Sequence, residues 1–183
     1  NLLCKEQNSS VGILCKARKV LGTGYLKNLY NTLTLPYLNY CNILWGNAAQ
    51  CHLQSLVRMQ KKAIRIICNL SKFASTSAYF KKLDILKLED IHKYTVMIFM
   101  FKYKNHSLPT IFDGFFKLNS EIHQYHTRQK DKYHPPKIKT NLAKTFIKYA
   151  GVTEWNEISS EINICCKLSS FKKHVKRFLL SKY

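Results

Sequence analysis

The stretch Cys51-His-Leu-Gln-Ser-Leu-Val-Arg-Met-Gln-Lys-Lys-Ala-Ile-Arg-Ile-Ile-Cys68 decides the fold. Leu53, Leu56, Val57, Ala63, Ile64 and Ile67 recur at spacings that a helix gathers into one stripe. Arg58, Lys61, Lys62 and Arg65 recur at three and four residues on the opposite side. Oil and charge sorted this cleanly predict an amphipathic helix over 51–68, apolar side to a core, basic side to water. The next long stretch predicts what that core contains. From Leu88 to Lys104 the chain again reads as a helix, but Val96-Met-Ile-Phe-Met-Phe101 leaves no polar face. That is the pattern of a central buried helix, with Phe99 enclosed. Glu89 and Asp90 open it, where the helix dipole favours acids.

Outward from these two helices the pattern stays helical. Residues 9–21 place Val11, Leu14, Cys15 and Leu21 on one face, and Gly22 and Gly24 stop them. Residues 25–34 carry Leu26, Leu29, Tyr30 and Leu33 at helical spacings. Pro36 interrupts this helix or starts the next, over 37–45, which ends near Gly46. A short helix over 77–83 and a connector at Asp84-Ile-Leu86 lead to the long helix. After Asn105 the texture turns polar, rich in His and Lys, with Pro109, Pro135 and Pro136. A turn or helix near 108–113 and then loop are expected. Lys144 to Tyr149 alternates and reads as one strand of a hairpin, its partner near Lys137 to Lys139. Gly151 breaks that pattern, and Val152 to Ser159 reads as a short helix carrying Trp155. Residues 169–182 form the last helix, capped by Ser169 or Ser170, with Phe171, Val175, Phe178 and Leu179 as its stripe. The expected fold class is mainly α: a helical bundle over 1–105, then a smaller loop-rich unit over 106–183 with a short β-hairpin.

Composition narrows the function. Hydrophobic residues are 46% and aromatics 13% of 183 residues, so a real core can be buried. Thirty Lys and Arg stand against ten Asp and Glu, a net +20. A folded domain needs something to offset that self-repulsion, and a polyanion is the simplest candidate. No run approaches the ~20 apolar residues of a membrane span, and no signal or transit segment is visible. The chain opens on Asn1 rather than Met, which fits a piece of a longer or processed protein. Seven cysteines at irregular spacing (Cys4, Cys15, Cys41, Cys51, Cys68, Cys165 and Cys166) do not make a disulfide framework. They are expected to be mostly small buried hydrophobes in a reducing compartment.

Catalytic chemistry finds little to work with. Two-metal phosphoryl chemistry needs clustered carboxylates. Glu89-Asp90 reads as a helix start, and Glu154, Glu157 and Glu161 as salt-bridge partners among many lysines. His123, His126, Cys165, Cys166 and His174 lack the paired spacing of a zinc site. Gly22-Thr23-Gly24 lacks the further glycine and the lysine of a phosphate loop. No Cys-His pair is singled out as a nucleophile. Basic residues with aromatics between them remain. The row Arg58, Lys61, Lys62 and Arg65 can follow a phosphate backbone. Arg128, Lys130, Lys132, Lys137 and Lys139 with Tyr125 and Tyr133 form a second stretch, in which the rings could stack on exposed bases. Lys172, Lys173, Lys176 and Arg177 form a third, on the last helix.

Three blocks carry a family resemblance. They are Leu26-Lys-Asn-Leu-Tyr-Asn-Thr-Leu-Thr-Leu-Pro-Tyr-Leu-Asn-Tyr-Cys-Asn-Ile-Leu-Trp-Gly46, Leu56-Val-Arg-Met-Gln-Lys-Lys-Ala-Ile-Arg-Ile-Ile67 and Phe80-Lys-Lys-Leu-Asp-Ile-Leu-Lys-Leu-Glu-Asp-Ile-His-Lys-Tyr94. In order and spacing they resemble the region after the catalytic core in reverse transcriptases of non-LTR (LINE, Jockey-like) retrotransposons. Tyr125-His-Thr-Arg128, Phe146 to Trp155 and the Ser169-Ser-Phe-Lys-Lys173 helix resemble the C-terminal end of the same family. The resemblance implies a helical thumb over 1–105 and a basic C-terminal extension over 106–183. Such a thumb closes on a template-primer (RNA, RNA–DNA hybrid or DNA) formed by an upstream palm of the same parent chain. The palm motif with its paired Asp residues is missing, as is the endonuclease region, so the chain by itself is expected to be no enzyme. No cofactor, no metal and no membrane is expected, and the implied location is intracellular, in nucleus or cytoplasm. The alternative is a non-catalytic basic module for an acidic partner or a membrane surface.

Overall fold

The computed structural model describes residues 2–122, 128–157 and 167–183, and the fold is mainly α. Two compact units form: Asn1–His92 with Phe178–Tyr183, and Lys93–Arg177. The division falls inside the long helix rather than at residue 105, and the last residues belong with the first unit.

The first unit is built around α5 (Gln50–Ile67). Of the stripe that the sequence predicts, Leu53, Leu56, Ala63, Ile64 and Ile67 are buried and Val57 is half-buried. Ala63, Ile64 and Ile67 join Val11 and Leu14 of α1 (Leu2–Ala17), Leu26 of α2 (Thr23–Leu29), and Phe80 of α6 (Ser77–Lys82) in one apolar core. One member of the buried stripe is polar. Gln60 donates from Nε2 to Tyr30 Oη (3.0 Å) and to Leu86 O (2.9 Å), and its Oε1 accepts from Leu88 N (3.0 Å). Leu88 opens the long helix α7 (Leu88–Lys104), so Gln60 satisfies a first-turn N–H that has no partner within the helix. All of the side chain's amide oxygen and nitrogen is thereby used inside the core.

Two expectations for the N-terminal part are corrected. The first helix begins at Leu2, not residue 9, and ends at Ala17, which leaves Val20 and Leu21 exposed. Polar Gln7 and Ser10 belong to this helix and are buried, because a neighbouring segment offers them carbonyls. Gln7 Nε2 donates to Thr34 O (3.0 Å), and Ser10 Oγ lies 3.1 Å from Leu33 O. Those carbonyls sit in a π-helical turn, Tyr30–Thr34, just ahead of Pro36. Pro36 has no N–H to give, and its ring crowds the carbonyl four residues back, so a regular α-helix cannot run through it. The expected helix over 37–45 is in fact two, α3 (Leu35–Asn39) and α4 (Asn42–Trp45), parted by Cys41 in the left-handed region (φ 47°). Gly46 then follows for want of space. A Cβ there would lie under 3 Å from Asn42 O and Oδ1 and from His92 Nδ1.

In the second unit the later half of α7 supplies buried Val96, Met97, Met100 and Phe101. Phe99 is half-buried, not enclosed: it meets Phe112 and Phe116 edge-on, at 5.3 and 6.4 Å between ring centres. After a 3-10 turn at Thr110–Phe112 the described residues form the short helices α8 (Asn119–Ile122), α9 (Asn141–Lys144) and α10 (Ile147–Asn156). The last helix is α11 (Leu168–Ser181). Phe171 of α11 stacks on Phe101 at 4.3 Å, with Trp155 of α10 beside it. Ser169 and Ser170 lie inside the first turn of α11 rather than capping it.

The expected hairpin does not form. Residues 144–149 divide between the end of α9 and the start of α10, and Thr140 Oγ1 caps α9 by accepting from Ala143 N (3.2 Å). Among the described residues the one β-type pairing is the antiparallel bridge Leu118–Tyr133. Gly151 does not end a pattern. It lies within α10, where a Cβ would come 3.0 Å from Met100 Sδ, so it lets two helices approach. Ser159 lies outside the described residues. The cysteines also differ from expectation. Cys15, Cys41 and Cys51 are exposed and Cys4 and Cys68 half-buried, all as free thiols. Cys165 and Cys166 lie outside the described residues.

Candidate nucleic-acid interface

The excess of positive charge divides evenly. The first unit holds fourteen Lys and Arg against four Asp and Glu, and the second sixteen against six. Charge count alone therefore does not choose a face; exposure and geometry must.

On α5, Arg58, Lys61 and Lys62 are exposed, opposite the buried stripe. No Asp or Glu occurs on this helix. Arg65 does not stand with them. It is half-buried, and its Nε donates to Ala74 O at 3.0 Å. The reason is tertiary. The helix ends at Ile67 with Asn69 in the left-handed region (φ 51°), Leu70 N bonding to Arg65 O (2.8 Å) and Asn69 N to Ile66 O (3.3 Å). That pair of bonds reverses the chain, and the returning segment offers Arg65 a carbonyl. Lys61 also borders a cleft of about 160 Å³, shared with Thr76, Ser77, Lys87 and Glu89. Glu89 on its rim keeps the cleft mixed in charge rather than an anion pocket. Lys87 is engaged: its ammonium sits 4.0 Å over the Tyr183 ring, whose hydroxyl donates to Asp90 Oδ2 (2.6 Å) and accepts from Lys87 N (2.8 Å). Burial first, then the Asp90 carboxylate, pushes the Tyr183 phenol well above its ordinary range.

In the second unit Arg128, Lys130, Lys132, Lys137 and Lys139 are exposed. The segment is tied down by Asn119 N to Lys132 O (2.9 Å), Ser120 N to Lys130 O (3.1 Å) and His134 N to Lys117 O (2.8 Å). The tie turns Tyr133 inward, so its predicted stacking role is corrected. The ring is 9% exposed and packs on Phe116 and Tyr103, each 5.9 Å between ring centres. Burial, with Tyr103 and Glu121 adding, pushes its phenol up to about 12. A ring so placed has no face left for a base. Tyr125 lies outside the described residues. On α11, Lys172, Lys173 and Arg177 are exposed and Lys176 is half-buried, with Phe171 and Val175 buried behind them.

Of the carboxylates that the sequence singles out, Glu161 lies outside the described residues. Glu89 and Asp90 occupy the first turn of α7, and Lys93 Nζ lies 3.8 Å from Glu154 Oε1. Among the described residues no group of three His, Cys, Asp or Glu could hold a metal ion, and no helix is long and apolar enough to cross a membrane. Lys72 and Phe73 lie in a turn, where helical periodicity carries no signal for them. Comparison with family models, with curated proteins and with solved structures found no match in any of the three.

Proposed function

We propose that this chain is the thumb-like and C-terminal portion of a retroelement RNA-directed DNA polymerase, gripping a template-primer through its phosphates and carrying no catalytic palm. The observation behind the grip is the exposed row Arg58, Lys61 and Lys62, free of acids on its own helix and backed by buried Leu53, Leu56, Ala63, Ile64 and Ile67. Arg58 to Lys62 spans about 6 Å along the axis at about 1.5 Å per residue. One strand of a duplex rises about 3.4 Å per phosphate, so such a row meets two or three phosphates. In the second unit, taken by itself, exposed Lys130, Lys132, Lys172, Lys173 and Arg177 would act as backbone-positioning groups without base readout. The polymerase setting rests on the sequence blocks alone, and with it come the upstream palm as partner and a nuclear or cytoplasmic location.

The test is fluorescence anisotropy with an RNA–DNA hybrid across a salt series. Each contacted phosphate contributes roughly −0.9 to the log–log slope on B-DNA, so Arg58→Gln/Lys61→Gln/Lys62→Gln should flatten the slope by about 2–3. The loss should be alike for unrelated sequences. An unchanged slope in a variant that melts like the parent would refute the grip. Binding to anionic vesicles with none to the hybrid would favour a membrane-surface module instead.

A further inference from the structure

The segment between α5 and α6 carries an aromatic ring that the fold leaves uncovered. Phe73 is 90% exposed, more than any other large hydrophobic side chain described. It does not sit on a slack loop. Ala74 N bonds back to Ser71 O (3.2 Å), closing a turn that has Lys72 and Phe73 at its corner. Ala74 O accepts from Arg65 Nε (3.0 Å), which fastens the turn to α5 at the end of its basic row. The bonds to Arg65 O and Ile66 O fix where the segment leaves the helix. One cation stands beside it. Lys72 Nζ stands 5.8 Å from the Phe73 ring centre, and exposed Lys82 reaches Cys68 at the foot of the segment, where its charge opposes the upward push of burial on that thiol.

We propose that Phe73 is a stacking platform for an unpaired nucleobase, placed where a strand leaves the basic face of α5. The inference rests on the phosphate-gripping reading given above. Its chemistry is separate, since a phenyl ring offers nothing to a phosphate. A docking site for a folded protein needs a contiguous apolar patch. Its neighbours along the chain are Ser71, Lys72, Ala74, Ser75 and Thr76, and an exposed flat ring beside a lysine matches a base on an anionic strand better than an apolar surface. Stacking is indifferent to base identity because every base has a π-face. Arg65 acts as the positioning residue that holds the turn.

The experiment uses the full 183-residue chain and three probes: a blunt hybrid duplex, the same duplex with a single-stranded overhang, and that overhang made abasic. Phe73→Ala should weaken overhang binding by about 5- to 150-fold, the range of one lost base–aromatic stack. Phe73→Trp should retain it. On the abasic overhang and the blunt duplex, Phe73→Ala should match the parent, and its salt slope should be the parent's on all probes. Equal overhang binding by Phe73→Ala and the parent overturns the platform while leaving the phosphate grip standing. So does an equal loss on all three probes. A parent chain that binds no probe in a salt-dependent way overturns both readings. Thermal melts confirm that Phe73→Ala is folded, which its exposure makes the expected result.

Discussion

Replacing Gln60 with Leu tests how the first unit is held together. The side chains are close in volume, so the change removes polar partners without opening a large cavity. Gln60 is 2% exposed, and it meets three groups: Tyr30 Oη, Leu86 O and Leu88 N. Leu86 and Leu88 are themselves buried, so water cannot freely replace the amide. A buried donor or acceptor left unsatisfied costs about 1–3 kcal/mol. Two stranded backbone groups and one phenol, less the gain of burying an apolar isostere, give an expected loss of about 3–5 kcal/mol. That is a large share of the roughly 5–15 kcal/mol by which a domain is stable. Tyr30→Phe, which removes one of the three partners, should cost about 1 kcal/mol. The double variant should fall short of the sum, because both changes break the same bond. Urea unfolding followed by circular dichroism supplies the numbers, read as a midpoint shift at constant m-value. A Gln60→Leu protein within 0.5 kcal/mol of the parent would show that this polar junction does not tie α5 to the start of α7.

Two further outcomes follow from close packing and burial. Gly46→Ala should destabilise by several kcal/mol in the same assay, because its Cβ meets the Asn42 backbone carbonyl, the Asn42 side-chain oxygen and the His92 ring at once; an unaffected midpoint would mean that this corner yields freely. Burial pushes the Tyr30 phenol up to about 12 against the opposing Gln60 hydrogen bond, so the folded state favours the neutral form. Its contribution is therefore whole below pH 10 and is lost as the pH climbs from 10 through 12, and Tyr30→Phe should flatten stability over that window; identical pH profiles for the two proteins would contradict the assignment.

The elements legible in the sequence were those whose pattern is local and long. The helix over 51–68 is observed as Gln50–Ile67, and that over 88–104 as Leu88–Lys104. Many turns of consistent period leave no competing structure. The six residues from Lys144 to Tyr149 alternate too briefly to decide anything. A strand also needs a partner edge, which the segment after Pro135 and Pro136 does not offer, whereas Thr140 supplies a helix cap. Among the candidate contacts, Arg58, Lys61 and Lys62 stand exposed as the helical period demands, since exposure on an amphipathic helix follows from which side is apolar. Arg65 fits the same period yet turns to Ala74 O, and Tyr133 fits a basic loop yet packs on Phe116 and Tyr103. In both cases a residue distant in sequence supplied the partner.

The sequence by itself determined a mainly helical fold, the apolar and basic sides of α5, the acid-led start of α7 and the large positive charge. All of these are set by composition or by neighbours within two turns. Only the tertiary structure decided that Gln60 belongs in the core, that Gln7 and Ser10 serve the π-turn before Pro36, that Gly46 is required for space, and that Phe73 is held out in water by a turn fastened through Arg65. A polar group's place depends on whether a partner waits for it inside, and that partner is brought by chain closure, which no local period records.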